Sequence, residues 1–302
     1  MTRAIVLGTV LLAGALSMSV AAWQQRGQGP NVVTVDQVHE NLYVLRGGGG
    51  NTAVFITSTG VVVVDAKNPG WGQTILDAIK GLTPKPVTTL INTHTHGDHV
   101  SGNVEFPASV DVVVQENTQA NMQRMPLFAQ HDNRGLPKRT FRDRMTLGTG
   151  ADTIEIYYFG PGHTNGDAWV VFPALRAAHT GDIFAGKGLP LVDGNNGGSV
   201  LRYPDTLRKA HAGIRNVDTI INGHSATTTT WDDLRLFAEF SQEFLDWAQA
   251  QVKAGRAPAE AAADWKLPAR YESAGYSPNI STLFGGLPGR LTLLAEEMKG
   301  GR

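Results

Sequence analysis

Three histidines and an aspartate fall within six positions in His94-Thr95-His96-Gly97-Asp98-His99, soon after the apolar run 87–91. Residues two apart in an extended segment project to the same side, so His94 and His96 can meet on one ion. Gly97 admits backbone conformations that other residues resist, which lets the chain turn and present Asp98 and His99 from another direction. Imidazole and carboxylate are ligands for zinc-like cations. Three later segments repeat the device of an apolar run ending in a potential ligand. Residues 154–159 lead to His163, 177–181 lead to Asp182, and 217–221 lead to His224, each ligand next to a glycine. One such end is ordinary. Four argue for a single convergent site, because layered α/β folds bind ligands at the rim formed by strand ends and the loops beyond them.

These groups suffice for two cations. His94, His96 and His163 are expected to hold the first. Asp98, His99 and His224 are expected to hold the second, with Asp182 reaching between them. A water held between two cations loses a proton near neutral pH and becomes a nucleophile. The same cations polarise a carbonyl oxygen and stabilise the oxyanion that forms. The expected cofactor is therefore Zn2+, two per chain, with Asp98 as the catalytic group that orients the attacking water.

The elements that must position these residues read as α/β layering. The runs 32–35, 42–45 and 53–56 are short and β-prone, and the four glycines 47–50 form a hairpin loop. Val61–Val64 is a continuous β-branched run, the mark of a strand covered on both faces. It ends at Asp65, read either as a support for the histidine loop or as a turn cap. Ile75, Leu76 and Ile79 predict a helix over 72–81, stopped by Pro84 and Pro86. A strand over 87–91 delivers His94, a strand over 110–114 follows, and then a helix over 116–124. Residues 125–150 read as a long polar loop whose Lys138, Arg139, Arg142 and Arg144 form a solvated face or overhang the site. The Gly- and Asn-rich stretch 188–199 is a second wall of the cleft. Leu207, Ala210, His211 and Ile214 suggest a helix before the 217–221 strand. The stripe Leu234, Phe237, Phe240, Phe244, Leu245, Ala248 and Val252 predicts a long amphipathic helix over 231–252 that packs on the core. Residues 256–276 carry no clear pattern, and a last helix is expected over 290–299. His39, His131 and His211 lie outside any ligand motif, and His179 is expected in the core.

With 302 residues and 41% apolar content, the chain can bury a sizeable core. A net charge of −1 gives no general attraction for polyanions, which argues against a nucleic-acid partner. There is no cysteine, so disulfides and thiolate ligands are excluded and any metal site uses nitrogen and oxygen. Arg3, the apolar run 4–15 and the small residues 20–22 read as an export signal over 1–22, followed by a polar linker over 23–30 and one folded domain over 31–302. The mature chain is then expected in the periplasm, without stable membrane association.

The ligand set resembles the metallo-β-lactamase superfamily. His94-Thr95-His96-Gly97-Asp98-His99 matches its His-x-His-x-Asp-His signature. The segments around His163, Asp182 and His224 match its remaining ligand motifs in type and order, and Asp65 matches its first aspartate. The resemblance covers roughly residues 32–225. It implies an αββα sandwich, two mixed β-sheets flanked by helices, with the dinuclear site at one edge. Members hydrolyse lactams, lactones, thioesters, sulfates or phosphodiesters, and a few are iron oxidoreductases. The absence of cysteine excludes the β-lactamases with a thiolate in the second site. Asp182 looks more like the bridging aspartate of the lactonase and thioesterase branches, although Ile183-Phe184-Ala185 lacks the tyrosine that acyl-homoserine lactonases carry there. The leading expectation is an exported zinc hydrolase acting on a small molecule, with a β-lactam first. The alternatives are a lactone or thioester hydrolase resembling glyoxalase II, a mononuclear-iron oxidoreductase, and a metal-binding protein without catalysis.

Overall fold

The computed structural model describes residues 31–300. The signal and linker expected over 1–22 and 23–30 lie outside the described residues. The chain divides into a unit up to Val32 and a unit from Val33 onward, and the second holds every element below.

Among the described residues the strands form two mixed sheets. The first takes β1 (Thr34–His39), β2 (Leu42–Arg46), β3 (Thr52–Ile56), β4 (Val61–Val64), β5 (Val87–Ile91), β6 (Asp111–Gln115) and β7 (Arg139–Phe141) in sequence order. β1 to β4 are antiparallel neighbours, and β4 to β7 run parallel. The second takes β13 (Thr229–Thr230), β12 (Thr219–Asn222), β11 (Ala177–Gly181), β10 (Trp169–Phe172), β9 (Ile154–Tyr157) and β8 (Arg144–Leu147). Its β11 and β12 are parallel, and the other neighbours are antiparallel.

Period-two alternation decides which side chain enters which layer. Val62 and Val64 face the second sheet with Ile91 and Val113, where they meet Ile156, Val170 and Phe172. Val61 and Val63 face the opposite way with Leu90, Val112 and Val114, under helix α1 (Gly72–Leu82) through Ile75 and Ile79. In β10 the same rule sends Val170 and Phe172 between the sheets and Trp169 and Val171 outward. Phe55 and Phe172 join the sheets across the middle, with ring centroids 5.1 Å apart. All four valines of β4 are buried, each worth about 1.5–3 kcal/mol of transfer from water. The expected strand covered on both faces is therefore present.

The short helices α2 (Gly97–Val100), α3 (Glu116–Met122) and α4 (Pro126–Gln130) follow along the first sheet. Helices α5 (Tyr203–Gly213) and α6 (Trp231–Lys253) contribute Leu207, Phe237, Phe240 and Phe244 to the core outside the second sheet. The Thr230 hydroxyl accepts the Asp233 N–H while the Asp233 carboxylate accepts the Thr230 N–H, a capping box that starts α6. The stretch 256–276, without a clear sequence pattern, holds α7 (Pro258–Asp264) and α8 (Ala269–Ser273). The last helix, α9 (Gly286–Met298), begins four residues before the expected start. Helix–sheet–sheet–helix layering, the αββα sandwich, results.

The loop expected over 125–150 is corrected. This stretch contains α4, β7 and β8, and carries the chain from the edge of one sheet to the edge of the other. Phe141, Met145 and Leu147 turn into the core between the sheets, while Arg144 and Thr146 stay exposed. Arg139 and Arg144 belong to the edge strands β7 and β8, where they pair locally and discourage edge-to-edge association. Arg139 pairs with Asp111, and Arg144 with Glu155 at 2.7 Å. No helix among the described residues is long and apolar enough to cross a membrane.

Candidate metal centre

Five strands bring the candidate site residues to one rim. β4 and β5 run parallel, so their carboxyl ends at Val64 and Ile91 bring Asp65 and His94 to the same edge. β11 and β12 are parallel in the facing sheet and end beside Asp182 and His224. β9 and β11 are both antiparallel to β10, so the chain leaving β9 reaches the same rim at His163. α2 then supplies Asp98 and His99 within a single turn.

The structure brings all seven candidate ligands together in two groups, His94–His96–His163–Asp182 and Asp98–His99–His224. In the first, His96 Nδ1 lies 3.1 Å from His94 Nε2 and 2.9 Å from His163 Nε2. Asp182 Oδ2 lies 3.9 Å from His94 Nε2 and 3.7 Å from His163 Nε2. In the second, His224 Nε2 lies 3.4 Å from His99 Nε2 and 3.3 Å from Asp98 Oδ2. Asp182 reaches this group as well, at 3.4 Å from His99 Nε2 and 3.2 Å from His224 Nε2. A tetrahedral ion bonded at about 2.0–2.1 Å holds its ligand atoms about 3.3 Å apart. Both groups have this spacing. Asp182 Oδ1 is buried without a hydrogen-bond donor among the described residues. An orphaned carboxylate oxygen among imidazoles is a seat for a cation. The nitrogen and oxygen donor set thus fits zinc-like ions, and thiolate plays no part.

The ring nitrogens turned away from these groups are held by oxygens. His163 Nδ1 meets Leu191 O at 2.9 Å, His99 Nδ1 meets Asp65 Oδ2 at 2.8 Å, and His96 Nε2 meets Asp193 Oδ2 at 2.8 Å. His94 Nδ1 lies 2.9 Å from Thr93 Oγ1, whose own proton goes to Asp65 Oδ2 at 2.7 Å. Such partners place the N–H on the outer nitrogen and leave the inner lone pair for a cation. Asp65 therefore orients one imidazole of each group. It does so at a backbone φ of 66°, a left-handed conformation costly for a residue with Cβ.

Electrostatics separate the groups. Burial drives His94 well below the ordinary histidine value, helped by His99 and His163, and takes His163 down to about 4, helped by His96. Both are neutral, as ligands must be. Burial works against the Asp182 carboxylate, but His99, His224 and His94 outweigh it and hold it well below the usual range. The same balance favours ionised Asp98, through His224 and His99.

The glycine loop 47–50 closes over the second group. A Cβ on Gly50 would sit 2.2 Å from His99 Cε1, so only glycine lets the backbone lie against this ring. The Gly50 N–H donates to Asp98 O at 3.0 Å. Beneath the loop, the Lys67 ammonium is fully buried and donates to Leu45 O at 2.8 Å and Gly50 O at 2.7 Å. Burial takes it down to about 7, against the pull of Asp65.

Sequence reasoning did not single out Asp193, Lys67, Thr93 or Phe284, whose ring stacks on His96 at 5.1 Å. Asp193 lies in the stretch expected to wall the cleft, and its lone carboxylate there was the available signal. His39, His131 and His211 stay outside the cluster. His211 stacks on Trp231, and His131 meets Leu127 O. His179 is buried with Nε2 3.0 Å from Asn51 O.

A sandwich with a histidine–aspartate cluster at its rim defines a metal-dependent hydrolase fold. Residues 45–225 match the Metallo-beta-lactamase superfamily, and the chain belongs to that superfamily. It is 24% identical over 243 residues to a metallo-beta-lactamase type 2 of Elizabethkingia meningoseptica, covering 76% of this chain and 94% of the relative. It is 28% identical over 166 residues to the alpha subunit of a 2,4-dinitroanisole O-demethylase of Nocardioides, spanning 53% of this chain and about half (49%) of that relative. Among solved structures, a metallo-beta-lactamase from Pontibacter korlensis superposes with a TM-score of 0.59 at 20% identity, covering 70% of this chain and 99% of the other. The sec-alkylsulfatase Pisa1 of Pseudomonas gives 0.67 at 15% identity, covering 90% of this chain and 51% of the other.

Proposed function

We propose that this chain is an exported hydrolase that uses two zinc ions to cleave a carbonyl–heteroatom bond in a small molecule, a β-lactam first. The observation that carries the reading is Asp182, with one carboxylate in contact with both histidine groups. His94, His96 and His163 would hold one cation, and Asp98, His99 and His224 the other, with Asp182 shared. Bound there, two divalent cations supply Lewis acidity and let a water lose its proton near neutral pH.

The chain's own groups assign the rest. His94, His99, His163 and Asp182 are closed to solvent, whereas the Asp98 and His224 side chains are 32% and 39% exposed. Substrate therefore approaches over Asp98 and His224. Asp98, kept ionised by His224 and His99, accepts a hydrogen bond from the attacking water and orients it. Export rests on the sequence pattern of residues 1–22, and a nucleic-acid partner is not part of the reading.

A lactone or thioester is the second substrate reading, favoured by the shared carboxylate of Asp182. Turnover of lactams, lactones, thioesters and phosphodiesters by protein of known metal content tests both. About two zinc per chain with hydrolysis of one carbonyl class supports the proposal. One iron per chain with an oxidase activity replaces it with the oxidoreductase reading, and metal without turnover of any class leaves a binding protein.

A further inference from the structure

The C-terminal part of the chain, beyond the family match at residue 225, reaches the histidine cluster through Phe284. Phe284 stacks on His96 with centroids 5.1 Å apart and planes at 21°, and its ring lies 6.0 Å from that of His163. Its backbone sits at φ 55° and ψ 34° in the 3-10 turn Leu283–Gly285, a conformation that a bulky residue adopts only under constraint. Strain of this kind concentrates where a side chain is held for a purpose. Phe284 remains 36% exposed and follows Leu283 at 58%, two of the four large apolar side chains exposed among the described residues. The ring also lines a cavity of about 280 Å³ with Val192, Asp193, Asn195 and Leu293. Asp193 is the residue that holds His96. The ring thus adjoins both His96 and this cavity, with part of its surface open.

We infer that Phe284 is a specificity-determining residue, an aromatic wall that receives a planar apolar substituent of the substrate next to the reacting bond and directs it toward this cavity. The inference rests on the metal-centre reading above. Asp193 and Asn195 at the cavity leave room for a polar group at the far end of that substituent. An aliphatic group of similar size gains less, because the offset-stacking preference belongs to aromatic pairs.

The test uses cobalt-loaded full-length protein and two thiol probes of similar size, phenylmethanethiol and cyclohexylmethanethiol. Binding is read from the thiolate-to-cobalt absorption band, and metal content by elemental analysis. Wild type is expected to prefer the aromatic thiol by roughly five- to tenfold, the scale of one aromatic pair. Phe284→Ala should bring the two probes near parity with metal content unchanged, and Phe284→Tyr should restore the preference. An unchanged preference in fully loaded Phe284→Ala overturns the inference. So does loss of metal in that variant, which would make the ring a structural brace for His96. Wild type that takes up no cobalt contradicts the metal-centre reading, and the inference falls with it.

Discussion

The Asp65 carboxylate accepts the His99 Nδ1 proton at 2.8 Å and, through the Thr93 hydroxyl, governs His94 as well. One buried residue therefore sets a ring in each of the two ligand groups, although it is itself a member of neither. Partners of this kind are worth about 10–100-fold in metal affinity. Asp65→Ala should weaken both sites by that order, and competition with a chromophoric chelator measures it. Weakening of the His99 site alone would mean that the Thr93 relay to His94 is ineffective.

Gly223 is fixed by Asp182. A Cβ at residue 223 would lie 1.9 Å from Asp182 Oδ1, so the shared carboxylate must move if alanine is introduced. Gly223→Ala should keep its circular dichroism spectrum, lose at least about tenfold in metal affinity, and lose turnover with it. A variant that binds metal like wild type would show that Asp182 has room the packing denies.

Lys67 predicts a pH dependence of folding stability. Burial takes its folded pKa down to about 7, while the unfolded chain keeps the ordinary 10.5. Between these values the unfolded state binds more protons, so this group makes stability rise with pH across that window. Below about 7 both states are protonated and the cost of the buried charge is constant. Lys67→Met removes this slope. Denaturant unfolding of chelator-treated protein from pH 7 to 10 should show wild type gaining on the variant, and parallel curves would refute the assignment.

Thr230 tests the start of α6. Its capping box satisfies the first turn of α6, and Thr230→Ala should cost about 0.5–2 kcal/mol in denaturant unfolding with metal content unchanged. A loss of metal would mean that the cap also steadies the site, through the stack of Phe237 on Phe184 beside Asp182.

The ligands were legible in the sequence because cation chemistry admits few residue types and because strand ends beside glycine announce a rim. Val61–Val64 was legible for a similar reason, since burial on both faces demands an unbroken apolar run. Less local features were hidden. β8 carries its inward residues Met145 and Leu147 among exposed polar ones, and an edge strand in such company reads as loop. Asp193 and Phe284 act on His96 from distant segments, and no local pattern encodes a contact that depends on the final packing. Lys67 looks like a surface residue by type, and only the glycine loop folded over it makes it a buried clamp.

The central claim is that two cations share Asp182. Anomalous diffraction at the zinc absorption edge, from crystals of zinc-loaded protein, tests it most directly. The account predicts two peaks per chain, one among His94, His96 and His163 and one among Asp98, His99 and His224, with Asp182 touching both. Zinc found elsewhere, or a single peak that leaves Asp182 uncoordinated, would contradict it.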